Sequence, residues 1–401
     1  MPYLLWRKPS FRLRAAAPLS LGSLARSMML ACLLDVGTLS AQEKPTRFDP
    51  RLARTVASLA ADRVAALQFS PDESLLVSGS SDDGIRSFNT TTWELQRNLK
   101  AGHGMTDSFV FSPMRDRVVA ASAGNATVKL WDFTPGRVIY DLKGHNSLVF
   151  AIAFSPDRKL LASAAQRTNA DGNATCEVIF WDVASGRQVQ TISQPTSGMI
   201  QTIAFSPDGR LLACGGGRSR GDDVPAGEVM IWEVASGKEL ATLEAPSGEV
   251  QRVAFSPDGR SLAAASDQML RGAMVVWNVA TGREQFRADN LPSAALDLAY
   301  SPDGRLLAVV VGDMNWRSLV LIIRGRDPDQ LKDAEATFRP GDVIFYDAQT
   351  GESLGVLPHN VPLHRLAFSP RGKYLATAGY DINADFSKNK TIAVWDLFPT
   401  N

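Results

Sequence analysis

The chain is poor in the residues that most often carry chemistry. Of 401 residues, three are Cys and four are His. Cys32, Cys176 and Cys214 are too few for a disulfide framework. Cys214 sits in an apolar run and reads as a small buried hydrophobe. A bridge from Cys176 to Cys214, between adjacent repeats, stays open because spacing alone does not set its geometry. The few His form no metal-ligand spacing, and no phosphate loop or paired-carboxylate pattern stands out. No cofactor is therefore expected. Net charge is absent too: 42 Lys and Arg balance 42 Asp and Glu. That leaves no overall basic footprint for nucleic acid or an anionic membrane. No apolar run is long enough to span a bilayer.

Residues 1–45 differ from the remainder. Arg7, Lys8, Arg12, Arg14 and Arg26 precede the first acid, Asp35. Ser27 to Ala41 is mostly apolar and ends in Leu39-Ser40-Ala41. A basic start, a short apolar core and a small exit residue suggest a secretory signal, with export and a mature terminus near Gln42. The alternatives are a disordered extension, or a start at Met28, on a cytoplasmic protein.

What the sequence does have is a returning phrase. It reads Phe69-Ser-Pro-Asp, Phe111-Ser-Pro-Met, Phe154-Ser-Pro-Asp, Phe205-Ser-Pro-Asp, Phe255-Ser-Pro-Asp, Tyr300-Ser-Pro-Asp and Phe368-Ser-Pro-Arg. Each is followed by an aromatic-centred phrase: Phe88-Asn, Trp131-Asp, Trp181-Asp, Trp232-Glu, Trp277-Asn, Tyr346-Asp and Trp395-Asp. A period of roughly 40–50 residues marks stacked supersecondary units that bury their faces only against neighbours. In the copy from Met199 to Leu243, Ile203–Phe205 predicts strand a. Ser206-Pro-Asp-Gly209 suits a type I turn, with Pro presetting the second position. Arg210–Gly215 predicts strand b, the alternating Glu228–Val234 strand c, and the more polar Lys238–Leu243 an outer strand d.

These residues resemble the WD-repeat β-propellers. The resemblance covers about residues 50–398, and the single domain is expected over 46–398. It implies an all-β, seven-bladed propeller of four-stranded antiparallel blades. The last copy stops after Thr391–Leu397, and Arg54–Leu59 aligns with the d strands. The N-terminal strand is therefore expected to complete the C-terminal blade. The family links an outer-loop His, a strand-b Ser or Thr, a turn Asp and the strand-c Trp. Here the resemblance assigns that structural role to His103 with Trp131, to His145, Ser163 and Trp181, and to His359, Thr377 and Trp395. The Asp positions hold Asn125, Thr175 and Asn389, and Ser122 is displaced in the second copy. Trp232 and Trp277 read as core. No copy keeps the whole set, so apolar packing has to carry the blades.

Length variation falls on the b–c connections. They are short at Asp82–Gly84 and Gly124-Asn125, longer at Gln166–Thr175, Gly216–Gly227, Asp267–Arg271 and Tyr380–Lys390, and longest at Gly312–Gly341. In an up-down meander these all leave one face. Insertions gathered on one face often mark binding; drift in tolerant loops is the competing reading. Trp316, Arg317, Arg324, Arg326, Phe338 and Arg339 bring interface-rich residue types to the longest insertion, with Arg218 and Arg220 on a neighbour. A self-packed flap is the other reading of that insertion. In it Arg317–Ile323 suggests an extra strand, and Asp327-Pro328 with Gln330 a capped helix.

Other motifs carry little. Gly217-Arg-Ser-Arg-Gly221 lacks the strand–helix setting of a nucleophile elbow. Arg220-Gly-Asp222 is only a tripeptide. Asn169–Asn173 and Asp381–Asp385 lack the distal Glu of a calcium loop. Asn89, Asn125 and Asn173 are glycosylation acceptors only in a secretory host. The expectation is a non-catalytic platform that docks a protein or peptide on the b–c face. The alternative is an enzyme or small-ligand binder using the central channel.

Overall fold

The computed structural model describes residues 48–61, 64–80, 84–99, 106–111, 117–122, 126–132, 136–168, 174–194, 200–218, 226–245, 248–268, 271–312, 341–359, 361–379 and 390–399. They form seven four-stranded antiparallel sheets. In sequence order the inner strands a are Val64–Phe69, Thr106–Phe111, Val149–Phe154, Ile200–Phe205, Glu249–Phe255, Ala294–Tyr300 and Leu363–Phe368. Each packs beside the a strands of the two flanking sheets, and the seventh also meets the first. The result is an all-β propeller whose blades are four-stranded meanders around a channel.

The repeated turn is built from its own side chains. In the fourth sheet the Ser206 hydroxyl donates to Asp208 (2.6 Å) and accepts from Leu211 N–H (2.9 Å). The Asp208 carboxylate accepts from Arg210 N–H (3.0 Å), and Gly209 N–H closes the turn on Ser206 C=O (2.8 Å). Gly209 has φ +71°, a value an L side chain resists. The Ser206 hydroxyl holds Asp208 below the usual carboxylate range, as Ser155 and Ser256 hold Asp157 and Asp258.

The seventh sheet joins the two ends of the described residues. Its strands are Leu363–Phe368, Tyr374–Gly379, Lys390–Asp396 and, from the other end, Arg54–Ala60. Thr55 faces Trp395 and Ser58 faces Ala393. Strands c and d of this blade therefore have no covalent turn between them. A strap replaces it. Phe48 packs on Phe345 (4.9 Å between centroids) and Phe398 (5.6 Å). Asp49 caps the short turn Pro50–Leu52, and Pro50 lies on Gly355 of the sixth sheet. In the other sheets the covalent c–d turn occupies this position; Gly186 against Tyr140 and Gly351 against Phe286 are examples.

Candidate functional site

Strand a starts at the face from which the b–c and d–a connections leave. In all seven sheets its pairing with strand b shifts register near that start, as between Val250 and Arg252 or Ala295 and Asp297. A bulge leaves one residue unpaired and re-aims the side chains beside it. The residue at which pairing resumes is Ala66, Ser108, Ala151, Thr202, Arg252, Asp297 and Arg365 around the ring. Three of these are charged, and they belong to neighbouring sheets.

Asp297 is 1% exposed. Its carboxylate accepts from its neighbour Leu298 N–H (3.0 Å) and from Leu366 N–H of the next sheet (3.0 Å). Arg252 Nε lies 3.1 Å from the same carboxylate, while the Arg252 side chain is 49% exposed. Thr202 plays a smaller version of this part, accepting from Val253 N–H (3.3 Å). Arg365 turns the other way, donating to Ala65 C=O (2.6 Å) and His364 C=O (2.7 Å). His364 Nε2 meets Val64 C=O. Burial, then Arg365, pushes His364 down to about 3, so it is neutral. On the opposite face Arg371 pairs with Glu73 (3.5 Å) across the same junction. The seventh-to-first junction is thus clasped by polar groups.

The longest b–c connection is rooted beside this mouth. Its ends, Gly312 and Gly341, both press on the backbone of Leu363, leaving no room for a Cβ. Ser293 Oγ donates to Gly312 C=O (2.7 Å), and Gly341 N–H to Val361 C=O (3.0 Å). Trp316, Arg317, Arg324, Arg326, Phe338 and Arg339 lie outside the described residues, as do Arg220, His103, Asn389 and both candidate calcium loops. Arg218 ends strand b of the fourth sheet opposite Ala226. Several positions read as loop are strand: Gln166–Thr168, Ala174-Thr175, Gly216–Arg218 and Asp267-Gln268 extend the b–c ladders.

That extension changes one structural network. Thr175 is not a turn residue but pairs with Arg167 in the ladder. Glu177, two residues on, reaches His145 Nδ1 (3.0 Å). His145 Nε2 meets Ser163 Oγ (2.6 Å), which accepts from Trp181 Nε1–H (2.8 Å). This blade therefore keeps four linked groups, contrary to the expectation that none does, because a longer acid on the strand replaces a shorter one in the turn. One proton arrangement satisfies all of them: Nδ1–H donates to Glu177 and Ser163 O–H to Nε2. Burial pushes His145 below its ordinary value, with Glu177 opposing. Glu–His–Ser is the order of a hydrolase triad, yet Ser163 is fully buried and spends its lone pair on Trp181. No substrate reaches it.

In the seventh sheet His359 Nε2 and Trp395 Nε1 share Thr377 Oγ1 (2.9 and 3.2 Å), while His359 Nδ1 donates to Leu357 C=O (3.1 Å). In the second sheet the ladder position of Ser163 belongs to Ala120, so Ser122 is two residues out of place. Buried Trp131 Nε1 accordingly has no partner. Cys214, Ala264 and Val309 hold that position in the next sheets. The fourth to sixth sheets, which lack the His, thus hold apolar residues there, and Trp232 and Trp277 are buried core. Cys176 and Cys214 share one apolar cluster, and no disulfide joins them.

Sequence could have exposed Arg252 and Asp297. Aligning the strand-a bulges puts an Arg and an Asp at one register in successive repeats. Glu177 carried no such sign, because it sits where an alternating strand carries any polar residue.

A family model described as "WD domain, G-beta repeat" matches residues 54–89, 136–176, 186–223, 237–271 and 351–396. The chain is similar to nuclear distribution protein nudF of Aspergillus niger, 30% identical over 51% of this chain and 43% of that protein. It is similar to small ribosomal subunit protein RACK1y of Oryza sativa, 26% identical over 43% of this chain and 48% of that protein. Apoptotic protease-activating factor 1 of Rattus norvegicus is 30% identical over 39% of this chain and 12% of its own length. The chain thus spans less than half the length of these relatives.

Proposed function

The chain belongs to the WD-repeat β-propeller family, and from that premise we propose that it is a non-catalytic, seven-bladed interaction platform. It docks a protein or peptide on the face that carries the b–c connections and the channel mouth. The observation behind this reading is asymmetry between the two faces. The a–b and c–d face repeats one turn whose polar groups satisfy one another. The other face roots every connection of variable length and exposes Arg252. Specific recognition needs such variety on a rigid frame. Zero net charge gives no overall basic footprint for nucleic acid. We also propose export, with a mature terminus near Gln42; N-terminal sequencing of material from the native host, if it returned an intact Met1, would refute it.

The platform is tested by replacing residues 313–340 with Asn-Gly, a two-residue turn the flanking ladder can accept. Affinity purification from the native host, read by mass spectrometry, should recover the partner with the full-length protein and lose it with the variant. Trp316→Ala and Arg324→Ala should each weaken binding by about 1 kcal/mol or more. Normal capture by the loop variant, with loss on substituting Arg305 on the opposite face, would place the working surface elsewhere.

A further inference from the structure

We propose that the channel mouth is a carboxylate receptor, with Arg252 as the recognition group and Asp297 as the residue that positions it. The biological partner rests on the docking-face reading; the receptor chemistry does not.

Arg252 stands just past the bulge at the mouth end of an inner strand fixed between two neighbours, with its side chain 49% exposed. Asp297 cannot swing, because two backbone N–H groups from two different sheets hold its oxygens. It anchors Arg252 through Nε and leaves the outer Nη edge unused: Arg252 makes no hydrogen bond to another described residue. A guanidinium held on one side and half in solvent on the other is preorganised for a fork-to-fork contact. Arg365, the other strand-a guanidinium, spends its donors on Ala65 and His364 carbonyls instead. Gln201 and Gln251, one residue before the bulge position in the fourth and fifth sheets, are half-buried beside it in sequence.

Charge selects the ligand. The Asp297 carboxylate cancels the charge of Arg252, and Glu249 stands three residues before Arg252 at the start of the same strand. With the charge of Arg252 cancelled and Glu249 adding a negative charge nearby, two aimed donors suit a singly charged carboxylate over a doubly charged phosphate. The carboxylate comes from an acidic side chain or from the free carboxyl end of a peptide.

The test uses the full-length protein and four fluorine-labelled Gly-Ser peptides titrated by 19F NMR. One carries Glu with an amidated end, one Gln with an amidated end, one Gln with a free end, and one phosphoserine with an amidated end. The Glu peptide or the free-end peptide should bind at least tenfold tighter than the Gln amide, and which of them does identifies the source. Arg252→Lys keeps the charge without the fork and should lose about tenfold, while its melting temperature checks the fold. Arg305→Gln, on the far face, should change nothing. Asp297→Asn leaves the guanidinium charge uncancelled and should move the preference toward phosphoserine; no such move would overturn its positioning role. Equal binding of all four peptides, or an undiminished preference in Arg252→Lys, would overturn the receptor whatever the long insertion does. A persisting Glu preference with residues 313–340 dispensable for partner capture would instead remove the docking loop and leave the receptor standing.

Discussion

At the scale of residues, one ladder position in strand b supports an internal comparison. Ser163 accepts from Trp181 and bonds His145, whereas Ser78, at the same register in the first sheet, is buried with no partner. Ser163→Ala strands two buried polar groups and should cost about 2–4 kcal/mol. Ser78→Ala removes an unsatisfied hydroxyl and should be neutral or slightly stabilising. Urea midpoints at constant m read both; equal losses would contradict the network. Tyr300→Phe follows the same reasoning, since its hydroxyl is buried without a partner where the other repeats carry Phe, and it should stabilise by about 1 kcal/mol. The buried imidazoles make a pH prediction. Desolvation pushes His359 down to about 4 and His364 to about 3. Unfolded His titrates near 6.5, so between these values the unfolded protein binds more protons. The contribution of both groups is full above about pH 6.5 and is lost as pH falls through 4 toward 3. Asp342, pushed up by burial, works in the opposite sense, and the lowered turn carboxylates Asp157, Asp208 and Asp258 lose their contribution only at the acid end. A melting temperature that stays flat from pH 6.5 to 4 would contradict neutral burial of both imidazoles.

At the scale of elements, the strap does the work of a turn without a covalent link. Phe48 fills the place between Phe345 and Phe398, so Phe48→Ala should lower stability by roughly 1–2 kcal/mol, and Phe398→Ala, at a more exposed ring, by less. Differential scanning calorimetry of the two variants gives the order, and a larger loss for Phe398 would refute it. This strap was not legible in the sequence. Phe48 belongs to no repeat, and its partners are hundreds of residues away. The strands were legible, because turn chemistry recurs at Ser206–Gly209 and its equivalents, and because Arg54–Leu59 aligns with the outer strands. Strand ends in the third to fifth sheets were not. Gly216, Gly217 and Gln166 look like loop residues, but a ladder already begun extends over them at little cost. The site was half legible. Loop lengths marked a face, while the Arg252–Asp297 pair depends on two bulges that meet only when sheets pack.

At the scale of the molecule, closure decides cooperativity. Each sheet buries its faces on two neighbours, so opening one junction exposes apolar surface on both sides. The junctions differ. All bury apolar surface and several add one polar link, whereas the seventh-to-first junction gathers His364, Arg365 and Arg371 as polar clasps, and the seventh sheet is also where strand d is supplied from the far end of the sequence. Joining the backbone near Phe398 to Phe48, whose rings already touch, turns the strap into a covalent c–d turn. New ends can then be opened at Ala235-Ser236, the exposed c–d turn of the fourth sheet. This permutant should fold, melt in one transition, and keep the Arg252 site, because every strand retains its partners. Deleting residues 48–60 instead leaves the Lys390–Asp396 edge unpaired and Phe345 uncovered, so that variant should aggregate or melt far lower. Circular dichroism melts and light scattering of the two proteins test the account together. A permutant that fails while the deletion melts like the full-length protein would mean that the ring is held by its other junctions, and that the closing strand is an accessory.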